Sequence, residues 1–154
     1  MYNIEMFDVK YMQLAFEQAE IAFKKQEVPV GVVLVSENNQ LLALAHNKIE
    51  ETLDIRNHAE LIALGQACIN LQSKFLTNTS IYITLEPCFM CMAAISMAKI
   101  ANVFYSADNK KFGALSNANN FFTANPFYYK PNIYSNIMAE DGRELMQRFF
   151  SKLR

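Results

Sequence analysis

Residues 84–91 read TLEPCFMC, with a proline directly before a Cys-x-x-C pair. Two cysteines three apart serve as a redox dithiol, as half of a structural zinc site, as part of a catalytic zinc site, or as none of these. The flanking chain narrows the choice. SIYITL (80–85) alternates like a strand, and CFMCMAAISMAK (88–99) reads as a helix. Proline suits the first turn of a helix, where its missing N–H would be unpaired anyway. On this reading Pro87 starts the helix and places Cys88 and Cys91 on its first turn. Unpaired N–H groups and the positive end of the helix dipole favour thiolates there.

Working outward, Met12, Ala15, Phe16, Ala19, Ala22 and Phe23 recur at three- and four-residue spacing, which predicts a helix with Asp8 as its N-cap. Lys24 to Glu27 ends it on the polar side. PVGVVLV (29–35) and QLLALA (40–45), separated by SENN, predict a hairpin. Residues 46–57 are polar and read as a loop. HAELIALGQACINLQ (58–72) is helical in spacing, and NVFYSA (102–107) is another strand. The stretch 108–132, rich in Asn, Phe and Tyr, has no clear period. DGRELMQRFFSKLR (141–154) closes the chain as a helix with Asp141 near its start. The order predicts an α/β sandwich around one mixed sheet.

The chain has 154 residues, enough for one domain with a sizeable core. No apolar run reaches the roughly 20 residues that span a bilayer. The start, MYNIEMFDVK, lacks the pattern of a signal peptide. Three cysteines make a poor disulfide framework and point to a reducing, cytoplasmic setting. A net charge of −1 argues against an overall field for nucleic acid but leaves room for a local basic patch.

A catalytic zinc site needs a third protein ligand besides the two thiolates. The chain has two histidines, His46 and His58. His58 opens HAE (58–60) at the start of another predicted helix, so His58 and Glu60 leave its first turn toward a common cleft. Zinc on His58, Cys88 and Cys91 would activate water near neutral pH. Glu60, two positions from the ligand, could take the proton and pass it to a leaving amine. A redox dithiol explains neither His58 nor Glu60. A structural zinc wants a fourth Cys or His; Cys68 lies on an apolar helix face and reads as core, and His46 reads as a loop residue.

H-A-E followed by P-C-x-x-C resembles the signature of the zinc nucleobase deaminases. Within them the chain is similar, over nearly its whole length, to the bacterial tRNA-specific adenosine deaminases. EVPVG (27–31), Asn47 of HNK, TLEPCFMC (84–91) and the terminal FFSKLR carry that likeness. The resemblance implies a cytidine-deaminase-like three-layer α/β/α sandwich with a central mixed sheet, residues 1–154 forming a single zinc-dependent deaminase domain. It implies a homodimer that hydrolyses adenosine to inosine at the wobble position of a tRNA anticodon. By position, His58, Cys88 and Cys91 would bind Zn2+ and Glu60 would shuttle protons. Asn47 would contact the target base beside Val28, Pro29 and Val30. The Cys88 N–H would help hold the water or the developing oxyanion. The alternatives are a free nucleobase or nucleoside deaminase of the guanine or cytosine type, and a non-catalytic zinc RNA-binding protein.

The chain departs from that family's pattern in loops. Ile55-Arg56-Asn57 precede HAE where P-T-A is usual, and Lys48-Ile49 follow Asn47 where Arg-Pro is usual. After NVFYSA the family carries an acid close to the target ribose; here Asp108 or Asn109 takes that place, Asn109 by count from Cys91. Tyr128-Tyr129-Lys130-Pro131-Asn132 stand where His-His-Arg-Pro-Glu is common. An anticodon base must leave its stack to be deaminated, and its neighbours are held by stacking and phosphate contacts. Lys110, Lys111, Tyr128, Tyr129, Lys130 and Arg148 are the expected RNA contacts. Phe121 and Phe122 read as core.

Overall fold

The structure, a computed structural model, describes residues 7–117 and 120–154. The first six residues of the N-terminal stretch read above lie outside the described residues. Eleven elements follow in order among them: α1 (Val9–Lys24), β1 (Gly31–Ser36), β2 (Leu41–His46), α2 (Ile49–Thr52), α3 (Ala59–Leu71), β3 (Thr79–Leu85), α4 (Phe89–Met97), β4 (Asn102–Ala107), α5 (Phe121–Ala124), β5 (Asn132–Tyr134) and α6 (Ala139–Lys152). The sheet runs β2-β1-β3-β4-β5. β1 is antiparallel to β2 and β3, while β4 is parallel to both β3 and β5. The mixed α/β sandwich expected from the sequence is therefore the fold observed.

Alternation along the strands makes the three layers. Val32, Leu34, Ile81 and Ile83 point to one face and pack with Ala59, Ala63 and Ala67 of α3 and Met92 and Ile95 of α4. The residues between them, Val33, Val35, Tyr82 and Phe104, point to the other face and meet Tyr11, Met12 and Ala15 of α1. Helix α6 joins that layer: Gly142 lies against Ser106 of β4, and Phe149 meets Phe23 of α1 edge-on at 5.9 Å. The contact of α1 with β1 is closer still. A Cβ on Gly31 would lie 1.8 Å from the Ala15 carbonyl oxygen, so the helix sits on the strand only because residue 31 has no side chain.

Five readings are corrected. Pro87 does not occupy the first turn of α4. Cys88 is extended at φ −74° and ψ 173° and is the N-cap, so the helix begins at Phe89 and the proline stands before the cap. His46 is the buried last residue of β2 rather than a loop residue, with Nδ1 2.9 Å from the Asn47 carbonyl. The 46–57 loop contains α2, held by Glu27. That residue is not a polar helix end in water but is 1% exposed, accepting the N–H groups of Glu50 and Glu51 at 2.8 and 3.0 Å. The aperiodic stretch after β4 contains α5 and leads into β5.

Candidate active site

Two helix starts and two loops build one cleft. α3 and α4 run under the sheet with their N-termini together, and each begins with a metal-type residue at its N-cap: His58 and Cys88. An N-cap side chain usually turns back to satisfy its own helix. Neither does here. His58 Nδ1 lies 3.8 Å from Cys88 Sγ and 3.5 Å from Cys91 Sγ instead. The cap that His58 withholds comes from Asn47, whose Oδ1 accepts the Ala59 N–H at 2.8 Å while its Nδ2 donates to the Val28 carbonyl at 3.1 Å. Asn47 thus frees His58 for another partner.

The donor atoms of His58, Cys88 and Cys91 lie within 4.8 Å of one another and form a metal-type cluster among the described residues. In a tetrahedral Cys2His zinc centre, bond lengths near 2.0–2.3 Å separate nitrogen and sulfur by about 3.6 Å, which matches the spacing found. One nitrogen and two sulfurs from protein is the catalytic rather than the structural type of donor set. The hydrogen bond from Cys91, then that with His58, pulls the Cys88 thiol down to about 4. The same bond, with burial, moves Cys91 up. His58 is raised through its bond with Cys88. Of the two thiols it is Cys88 whose surroundings favour the thiolate, the form that binds metal.

Glu60 is the second residue of α3, 4% exposed. Burial pushes its carboxyl up to about 7, against the lowering pull of its backbone hydrogen bond. A carboxyl that changes state near neutrality can both take and return a proton.

The cleft has a volume of about 640 Å³. Val28, Val30, Asn47, Asn109 and Lys111 line it together with His58, Glu60 and Cys88. Pro29 is not on the wall. Of the pair after β4, Asn109 lines the cleft, and Asp108 is exposed outside it. Lys110, Tyr128, Tyr129 and Lys130 are exposed but also off the wall. Ser96 Oγ donates to the Tyr129 carbonyl at 2.5 Å, and Lys130 lies over the Phe122 ring at 5.8 Å. Phe121 is buried in the core, as expected. Arg148 pairs with Glu20 at 3.1 Å and covers the Phe23 ring, tying α6 to α1.

Sequence reasoning passed over Glu86, Phe89, Met90, Phe112, Met146 and Phe150, all on the cleft wall. The signal for Glu86 was available: an acid continuing an apolar alternating strand into the metal motif. The large exposed apolar residues had a weaker one, because Phe89 and Met90 fall inside a helix that reads as apolar all round.

A MafB19-like deaminase family model matches residues 6–154. The tRNA-specific adenosine deaminase of Rickettsia felis is 45% identical over 144 residues, covering 93% of this chain and 100% of that protein. That of Aquifex aeolicus is 36% identical, covering 94% of each. A solved structure from studies of A-to-I editing by tRNA:A34 deaminases at the wobble position superposes with a TM-score of 0.85 at 35% identity, over 90% of this chain and 99% of that one. The guanine deaminase from Nitrosomonas europaea shares the fold at a TM-score of 0.81 and 15% identity, over 94% of this chain and 85% of that one.

Proposed function

The chain belongs to the MafB19-like deaminase family, beside the tRNA-specific adenosine deaminases, and we propose that it hydrolyses adenosine to inosine at the wobble position of a tRNA anticodon. The observation that carries this is the joining of two helix starts: a His58, Cys88 and Cys91 cluster at metal-site spacing with a buried, raised Glu60 beside it.

His58 Nδ1 and the Cys88 and Cys91 sulfurs would hold zinc, which supplies the Lewis acidity that makes water a nucleophile near neutral pH. Glu60 accepts the proton of that water and delivers a proton to the departing amine. Water adds at C6 of the base, and the C6–N bond breaks to give inosine and ammonia. Asn47 caps the start of α3 in place of His58, leaving the imidazole free to ligate, and, with Val28 and Val30, bounds the space beside the base. The Cys88 N–H is set by its neighbours too. The Ala114 N–H binds the Pro87 carbonyl at 3.0 Å, and across a trans peptide the Cys88 N–H points the opposite way, away from Ala114. Asn109 and Lys111 stand where the nucleotides flanking a flipped base would run, and the exposed Lys110, Tyr128, Tyr129 and Lys130 extend that basic and aromatic surface. The whole chain acts as one deaminase domain, in the cytoplasm and as a homodimer.

The test sets an anticodon hairpin with adenosine at the wobble position against free adenosine, guanine and cytosine, and reads ammonia release by the zinc-loaded protein. Ammonia from the hairpin alone is expected. Ammonia from guanine or cytosine alone would place the chain with the free-base deaminases, and none from any substrate would leave a non-catalytic zinc protein.

A further inference from the structure

Glu86 is 1% exposed, and among the described residues no lysine, arginine or histidine pairs with it. Burying a carboxylate is costly unless its oxygens are fully hydrogen-bonded. Here they are. Oε2 accepts the Asn109 N–H at 2.8 Å and the Ser116 hydroxyl at 2.6 Å. Oε1 accepts the N–H groups of Leu115 and Ser116 at 2.8 and 2.7 Å. A carboxylate offers about four acceptor sites, and donors from one loop fill all of them. That loop wraps tightly: a Cβ on Gly113 would lie 2.3 Å from Glu86 Oε2 and 2.5 Å from the Asn109 carbonyl oxygen. It has no helix and only one bridged residue, Gly113 against Cys88. Asn109, Lys111 and Phe112 of this loop line the cleft.

We propose that Glu86 is the positioning residue for the nucleic-acid substrate: it fixes residues 109–116 as the wall that grips the nucleotides around the target base. It sets affinity for the substrate and leaves the chemistry at His58, Cys88, Cys91 and Glu60 intact. The inference rests on the deaminase reading given above.

Glu86→Gln keeps the shape of the side chain but turns one oxygen into an NH2 group, which then faces two loop donors whichever way the amide lies. With zinc content unchanged, the KM for the anticodon hairpin should rise about tenfold, the equivalent of one lost charge-assisted hydrogen bond, while kcat stays within a factor of about three. By hydrogen exchange, the amides of Asn109, Leu115 and Ser116 should lose protection and those of α4 should keep theirs. Ser116→Ala removes one donor to Oε2 with Glu86 intact and should raise KM in the same direction by a smaller factor, which covers the case of a Glu86 variant that folds poorly. A fall in kcat at unchanged KM in both variants, or loss of zinc and of α4 protection in both, overturns the proposal. A wild-type protein inert on the hairpin removes the deaminase reading instead, and the exchange pattern still decides whether Glu86 holds the loop.

Discussion

Glu60 owes its role to a conflict between two surroundings. The start of α3 favours a charged carboxylate, burial opposes it, and burial wins, leaving the group at about 7. Glu60→Gln should keep the fold and the metal but lower turnover by roughly 10²–10⁴-fold, because the amide can neither take nor return a proton; metal analysis and single-turnover rates check both halves. Asn47 acts one step away. Its loss strips the Ala59 N–H of its partner and frees His58 to turn back as an ordinary cap. Asn47→Ala should therefore cost about 1–2 kcal/mol in denaturant unfolding and weaken metal retention in competition with a chelator. At Asn109, Oδ1 already accepts the Phe112 N–H at 3.1 Å, so Asn109→Asp keeps the turn and adds only charge. A carboxylate accepts a hydrogen bond from a ribose 2′-OH, so this variant should raise the ratio of rates on matched RNA and DNA hairpins. The meeting of His58, Glu60, Cys88 and Cys91 was legible because short spacings place them at helix starts. The partners of Glu27 and Glu86 were not: they are backbone N–H groups 23 to 30 positions away, which leave no local trace in the sequence.

Among elements, the long periodic ones were read correctly in kind and place. The buried faces of α1, α3 and α6 and the extended runs of β1 to β4 follow from burial on one or both sides. The short ones escaped. β5 has three residues and exists through its pairing with β4, and α2 has four and exists through Glu27. The misplaced proline has a similar cause. Helix α4 begins at Phe89, two residues after the proline, with Cys88 extended as its N-cap and its sulfur toward His58 rather than in the first turn. The packing of α1 on β1 supplies the sharpest element-scale expectation. Gly31→Ala forces backbone against backbone, with no flexible side chain to give way, and should destabilise the protein by about 3 kcal/mol or more. An unfolding midpoint within error of wild type would mean that α1 moves aside at little cost.

At the scale of the whole molecule, the sheet holds two helix N-termini side by side, and the metal-type cluster is the stitch between them. Metal binding there should contribute to folding as well as to chemistry. Removing zinc with a chelator should lower the thermal midpoint and abolish turnover, with both restored when zinc returns. Among the described residues no helix is long and apolar enough to cross a membrane. On the proposed function this cleft deaminates one adenosine, the one splayed at the wobble position. The most direct test incubates the zinc-loaded protein with a full tRNA carrying adenosine there and sequences the product. Inosine at the wobble position, with every other adenosine unchanged and no product from Glu60→Gln, is the expected result. An unmodified wobble base after prolonged incubation, with zinc bound and the protein folded, would contradict it.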